Sequence, residues 1–352
     1  MMARPRETLL SGTIIYGDDF MPRQGYLCIR DGIIKEMGEE NVEADFEGIV
    51  CPRFVNAHVH VGDSAFKDPP FMPLCDLVGP GGLKQRFLAE TPRSRLVEGM
   101  KHSLLEMAAT GTYAFADFRE GGGDGVKMLL EAQQDLPLFS RILGRPGPGE
   151  TGISNRCWGI GISSTRDHDP SWLKTVTEAA RSADQKVAIH AGEAGNDDIE
   201  DALALEPDFL VHLNRATEQD LKKVARAGVP VVVCPRSNLM TATGLPDVRR
   251  MTDLGIVVGV GTDNVMLNSP NIFEEMQLIV KALLHDDRQV FKMCTLNGAE
   301  IMQIGQKVGS ISEGKEARLM VLNECSNNLW GTIQPLASVV RRAGPSDILT
   351  IF

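Results

Sequence analysis

Short apolar runs alternate along the chain with amphipathic stretches, and the order of the two changes once. Near the start, Thr8 to Tyr16 carries Leu9, Leu10, Ile14 and Ile15. Gly25 to Arg30 and Gly32 to Met37 follow, with Asp31-Gly32 as a hairpin-type turn between them. Ile49 to Val55 is another strand-like run. Beyond it the order becomes strand, loop, helix, repeated. Thr112 to Phe118, Leu138 to Leu143, Gly159 to Ser163, Val187 to His190, Asp208 to Leu213, Val229 to Cys234 and Ile256 to Gly261 are all short and apolar. Such runs suit strands buried on both faces of a parallel sheet. Between them, Leu96 to Ala109, Gly125 to Gln134, Ser171 to Ser182, Glu218 to Ala227 and Pro270 to Leu284 read as helices. With the strand that ends near His60 there are about eight β/α units, the number that closes a (β/α)8 barrel. Gly309 to Leu322 is β-like again, and a further strand is expected at Leu336 to Arg341. No linker sets this end apart, so the two β-rich ends are expected to pack together as one small side domain.

Composition narrows the function classes. A chain of 352 residues exceeds most single domains, so one large barrel or two smaller domains is expected. Apolar residues at 43% and charged residues at 24% suit a folded globular protein rather than a disordered one. No apolar run is long enough to span a membrane, and Met1 to Glu7 lacks a signal-peptide core. The expectation is a cytoplasmic protein with no membrane partner. Its 36 basic and 47 acidic residues leave a formal charge of −11, which argues against nucleic acid and for a small-molecule partner. The cysteines, Cys28, Cys51, Cys75, Cys157, Cys234, Cys294 and Cys325, never pair as Cys-x-x-Cys. Neither a disulfide framework nor a cysteine zinc site is indicated, and reduced thiols are expected.

The candidate chemistry lies at strand ends. In Asn56-Ala57-His58-Val59-His60, two histidines two residues apart on a strand point the same way, the natural start of a divalent metal site. His190 closes a buried strand in His190-Ala191-Gly192-Glu193, where Gly192 allows a sharp turn and Glu193 falls in the loop above. His212 ends Phe209-Leu210-Val211-His212, and Asp263 follows the glycine-flanked strand Gly259-Val260-Gly261. Any one of these is readable as an ordinary polar residue satisfied by its neighbours. Together they put four of the seven histidines, an Asp and a Glu at the same end of different strands, where barrel enzymes keep their catalytic groups. His102, His168 and His285 are read as solvated surface residues.

With these motifs in view, the chain resembles the amidohydrolase superfamily, in its branch of metal-dependent aromatic deaminases and chlorohydrolases (cytosine, guanine and S-adenosylhomocysteine deaminase-like). The resemblance runs through Val55 to His60, His190 to Glu193, Cys234-Pro235-Arg236-Ser237-Asn238, Gly261-Thr262-Asp263 and Gly309 to Lys315, in the family's order. It implies an α/β fold: a (β/α)8 TIM-type barrel over residues 55–303, with a small β-sandwich formed by residues 1–54 and 304–352. It further implies that His58, His60, His190 and Asp263 bind one divalent metal ion, zinc first and iron second, while Glu193, His212 and Asp263 handle protons. Two-metal relatives bridge their ions with a lysine from the fourth strand; here that strand, Trp158 to Ser164, has none, so a single metal is expected. Adenosine deaminases carry a second Asp where this chain has Asn264, so adenosine itself is not implied. Arg53 and Arg318 depart from the family's Gly and Asp, away from the metal, and the tail after Asp263 is shorter than in many relatives.

The resemblance leads to a hydrolytic deaminase of an aminated N-heterocycle (purine, pyrimidine, pterin or derivative) that releases ammonia. Dechlorination or cyclic-amide hydrolysis by the same site is the alternative, and a scaffold without activity is a third reading. Arg119, Arg145 and Arg236, with Asn238, are expected to ring the catalytic end and to meet an anionic group where the substrate carries one, because a guanidinium can donate two parallel hydrogen bonds to a carboxylate or phosphate. Internal pairing of these arginines, for example with Asp117 or Glu120, is the competing expectation. The Pro- and Gly-rich segment 62–88 reads as a long loop, either a lid or a surface loop packed on the barrel. A homo-oligomer is compatible with all of this.

Overall fold

A computed structural model describes residues 7–146 and 154–352, so the reading of a missing signal core over Met1 to Arg6 lies outside the described residues. Strands that read as unbroken apolar runs are mostly buried, at every position in β5 (Phe54–His60), and they share one parallel sheet. The others are β6 (Thr112–Arg119), β7 (Phe139–Gly144), β8 (Gly159–Ile162), β9 (Lys186–Ala191), β10 (Phe209–His212), β11 (Val231–Val233), β12 (Val258–Val260) and β13 (Asp263–Asn264). Neighbours follow the order β12-β11-β10-β9-β8-β7-β6-β5-β13, the curled parallel arrangement of a TIM-like α/β fold. The two end strands are nearly consecutive in the chain. Between them Gly261 donates its N–H to Val233 O (3.0 Å), and Thr262 donates to His58 O (2.9 Å). Gly261 is required there, because a Cβ would lie 2.6 Å from the His58 carbonyl oxygen.

Helices follow the strands. They include α1 (Leu74–Val78), α2 (Leu83–Glu90), α3 (Arg93–Ala109), α4 (Gly122–Gln133), α5 (Pro170–Ser182), α6 (Ile199–Ala204) and α7 (Glu218–Ala227). Helix α3 buries Leu96, Met100, Leu104 and Met107, spaced three or four apart, against Phe115 and Leu129. Asp169 caps α5, and a Thr217–Asp220 capping box opens α7, which closes on Gly228 in the left-handed region. The segment after β5 is less loop-like than expected. It folds into α1 and α2, whose Leu77, Val78 and Leu83 pack with Phe66, Met266 and Leu267. Flanking Pro73 and Gly79 to Gly82 mask two helices too short to show a period.

The second compact unit holds the N-terminal strands up to Val55, Ala109–Tyr113 and Ile272–Phe352. Its strands β1 (Glu7–Tyr16), β2 (Met21–Arg30), β3 (Ile33–Gly38), β4 (Phe46–Pro52), β14 (Leu319–Leu322) and β15 (Ile348–Ile351) form one sheet in the order β15-β14-β4-β1-β2-β3. Leu10, Ile14, Leu27, Ile34, Val50, Leu319 and Val321 build its apolar core. Among the described residues the chain ends meet in this single sheet, where a sandwich was expected. The C-terminal strands are short, and Pro335–Arg341 is a helix rather than the expected strand. Pro335 opens that helix and Leu336, Val339 and Val340 are buried at helical spacing. No helix of the described residues is long and apolar enough to cross a membrane.

Candidate metal centre

The strand period explains why His58 and His60 share a face of β5, and the parallel register brings His190 of β9 and Asp263 of β13 to the same end. All four are buried, and their ligand atoms lie within 4.8 Å of one another. His58 Nε2 lies 3.2 Å from His190 Nε2 and 3.3 Å from Asp263 Oδ1, and His60 Nε2 lies 3.4 Å from His190 Nε2 and 3.5 Å from Asp263 Oδ1. That is the spacing ligands take when each sits about 2.0–2.2 Å from one zinc-sized ion.

Protonation agrees with that use. His190 Nδ1 lies 2.8 Å from Ile162 O, and His60 Nδ1 lies 3.0 Å from Phe118 O, so both rings carry hydrogen on Nδ1 and turn the Nε2 lone pair inward. Two such lone pairs face each other between His60 and His190, an arrangement that a cation relieves. Burial pushes His58 down to about 3, and burial with the neighbouring rings holds His190 well below the usual histidine range. Burial disfavours a charged Asp263, but its hydrogen bond to His58 and the adjacent His212, His58 and His60 outweigh it and keep the carboxyl well below its usual range. Ser237 Oγ donates to the other Asp263 oxygen. Around this cluster, Asp63, Asp117 and Glu120 face the cations Lys84 and Arg119, and Asp263 adds a fourth carboxylate, a deficit of positive charge that a divalent ion would offset.

Glu193 and His212 stand beside the four. Glu193 Oε2 is 3.6 Å from His212 Nε2, and Asn238 Nδ2 is 3.1 Å from His212 Nδ1. The turn at Gly192, with φ of +63°, carries Glu193 out of the strand as its sequence suggested. Burial, with Asp263 adding to it, raises the Glu193 pKa above the ordinary carboxyl value. His212 and Asp263 adopt left-handed φ values of 80° and 58°, rare for residues with a side chain and common at functional sites.

These groups open on a cavity of about 1190 Å³, lined among others by His60, His190, Glu193, His212, Asp263 and Asn264. The α1–α2 segment and the glycine run Gly121 to Gly123 line it as well. Of the three arginines expected at the rim, Arg145 lines the cavity, with its buried Nε unpartnered among the described residues. Arg119 is instead buried, with Nη2 2.8 Å from Glu120 and Nη1 3.6 Å from Asp117, and it is absent from the cavity wall. Arg236 gives Nη2 to the carbonyls of Ser269 and Asn271, and Asn238 is buried behind His212. His102 and His285 are exposed, but His168 is half-buried and stacks on Trp172, because α5 lays that indole across it. Sequence reasoning missed Lys84, Asp63 and Glu120. Glu120 was visible only as a partner for Arg119, and nothing marked Lys84, which sits in a segment read as loop.

Residues 49–350 match the model of the amidohydrolase family. A putative aminohydrolase of Methanothermobacter thermautotrophicus is 34% identical over 377 residues, covering 96% of this chain and 95% of that protein. A 5-methylthioadenosine/S-adenosylhomocysteine deaminase of Pyrococcus abyssi is 26% identical, covering 97% and 91%. The zinc complex of atrazine chlorohydrolase from Arthrobacter aurescens superposes with a TM-score of 0.80 over 97% of this chain and 95% of that one; at 17% identity the likeness speaks for the fold alone.

Proposed function

The chain belongs to the amidohydrolase family, and from that premise we propose that it is a single-metal hydrolase that removes an amino group from a heteroaromatic ring as ammonia. The observation that carries this reading is the convergence of three imidazoles and one carboxylate, with the Glu193–His212 pair beside them at the cavity. His58, His60, His190 and Asp263 would hold the ion, zinc before iron, given three nitrogen ligands and one oxygen. Strand β8 offers no lysine for a second ion. We read β12 and β13 as two halves of one strand, the eighth of a closed barrel.

Bound there, the ion supplies the Lewis acidity that makes water a nucleophile near neutral pH. Water attacks the ring carbon that bears the amino group, and Asp263 and His212 take up and hold its proton. Glu193, whose pKa burial raises, gives a proton to the adjacent ring nitrogen, where charge gathers as aromaticity is lost. The carbon–nitrogen bond then breaks, the amino group leaves with a proton as ammonia, and the ring keeps the oxygen. Relatives named as 5-methylthioadenosine/S-adenosylhomocysteine deaminases support a substrate of purine type, and the cavity has room for a nucleoside-sized molecule. Arg145 is the group we assign to an anionic substituent on it.

An ammonia-release screen over aminated purines, pyrimidines and pterins with zinc-loaded protein tests the reading. Ammonia from at least one member is expected. No ammonia across the panel, with chloride or a carboxylate released from other rings, would replace deamination by dechlorination or ring opening.

A further inference from the structure

Lys84 lies on α2, far in sequence from every candidate ligand, yet its side chain is 5% exposed at the cavity. An ammonium has three hydrogens to donate and no lone pair. Here it has three oxygen partners: Asn264 Oδ1 at 2.7 Å, Glu120 Oε1 at 2.7 Å and Asp63 Oδ2 at 3.3 Å. Of these the Asn264 contact is a hydrogen bond, and the two carboxylates meet the ammonium as ion pairs.

Two of the partners reach the metal cluster. Glu120 Oε1 is also 2.8 Å from His60 Nδ1, the ring nitrogen on the side away from the cluster. Asn264 Nδ2 donates to Asp263 Oδ1 at 2.9 Å. Because Lys84 only donates, it fixes the Asn264 amide with its oxygen outward and its NH2 toward Asp263. A carboxylate at position 264 would satisfy Lys84 and repel Asp263. An amide serves both neighbours, a physical reason for asparagine at this place.

We propose that Lys84 is a positioning residue for the metal centre: its ammonium fixes Glu120 and Asn264, and these orient His60 and Asp263. The proposal rests on the reading of the four ligands as a metal site. It predicts that a helix outside the strand ends sets how tightly the ion is held, since groups that orient ligands are commonly worth about 10–100-fold in metal affinity.

The test is zinc affinity by competition with a chromophoric chelator, on the full chain, joined to the visible absorption of the cobalt(II)-loaded protein. Lys84→Met is expected to bind zinc about 10–100-fold more weakly and to shift the cobalt bands. Asn264→Leu keeps the Lys84–Glu120 and Lys84–Asp63 pairs and is expected to weaken zinc as well. The double variant should lose less than the product of the two single losses, because one acts through the other. Zinc held by both single variants within about twofold of the unchanged chain, with unshifted cobalt bands, would overturn the proposal and leave the metal site standing. A chain that takes up no metal at all would overturn both. Should Lys84→Met fail to fold, Asn264→Leu and Glu120→Gln decide: weakened zinc in both supports the role, and unchanged zinc in both ends it.

Discussion

On the side formed by β8 to β11, the candidate site is held by neutral groups: His190 by the Ile162 carbonyl and His212 by the Asn238 amide. On the side formed by β5, β6 and α2, ions join the Phe118 carbonyl in holding it, with Glu120 against His60, and Lys84 against Glu120, Asp63 and the Asn264 amide. Backbone carbonyls are placed by the sheet itself and change little with salt, pH or substitution. An ion-pair network depends on each member, and removing one leaves the others buried and unpaired, at a cost of about 3–5 kcal/mol. The neutral side thus holds one candidate ligand, His190, and the proton-transfer group His212, while the ionic side bears on the ligands His60 and Asp263. Substitutions on the two sides should fail differently.

The largest effects test whether metal and turnover separate at all. His190→Ala removes a ligand and is expected to lose zinc and activity together, read by metal analysis and ammonia release. Glu193→Gln removes a proton donor without touching a ligand; it should keep zinc and lose about 10²–10⁴-fold in turnover. A Glu193→Gln protein without zinc would mean that Glu193 is a ligand, and the division would have to be redrawn.

The two sides also differed in how far the sequence revealed them. Strand-end histidines stand out because a period of two, or a polar residue closing an apolar run, is visible in one dimension; His58, His60, His190, His212 and Asp263 were all found that way. Their supports were not. Ile162 acts through its backbone, which carries no residue signature. Lys84 is buried against the usual habit of lysine, on a helix of eight residues bounded by glycine and threonine. The parallel sheet was legible from its apolar runs, whereas Leu336 to Arg341 was misread as a strand because Val339 and Val340 suit both periods.

A smaller effect isolates the neutral side. Asn238→Leu frees His212 without touching a candidate ligand or an ion pair, so turnover should fall about 10–100-fold with zinc affinity unchanged. Loss of zinc in this variant would show that the two sides are not independent.

On the ionic side, pH offers a probe of Asp63. Burial raises Asp63 from 3.8 to about 6, and Lys84 and His60 only partly offset it. The folded metal-free protein therefore binds this proton more tightly than the unfolded chain does. Below pH 4 the group is protonated in both states and contributes no difference. As pH climbs from about 4 through 6 the folded state loses stability, by about 3 kcal/mol at most. Asp63→Asn cannot ionise, so its stability relative to the unchanged chain should rise across that window in urea melts of the metal-free proteins. A difference flat in pH would place Asp63 in the ordinary carboxyl range.

The smallest effect concerns Arg145, which lines the cavity and pairs through its side chain with neither side in the described structure. The other two arginines once open to the same role have protein partners: Arg119 is bound to Asp117 and Glu120, and Arg236 to two carbonyls. A guanidinium left to meet an anion helps bind the substrate equally before and during the reaction, so its loss appears in KM and not in kcat. For a carboxylated or phosphorylated substrate, Arg145→Met should raise KM about 10-fold, the worth of one charge-assisted contact at a partly solvated site. The uncharged analogue should show no such rise, and zinc affinity should stay where it was. Added salt should shrink the gap between the two substrates in the unchanged chain and leave the variant nearly indifferent, since screening acts on the pair that the substitution has already removed. Equal KM changes for both substrates would make Arg145 a brace for its loop, and the cavity would then read shape alone.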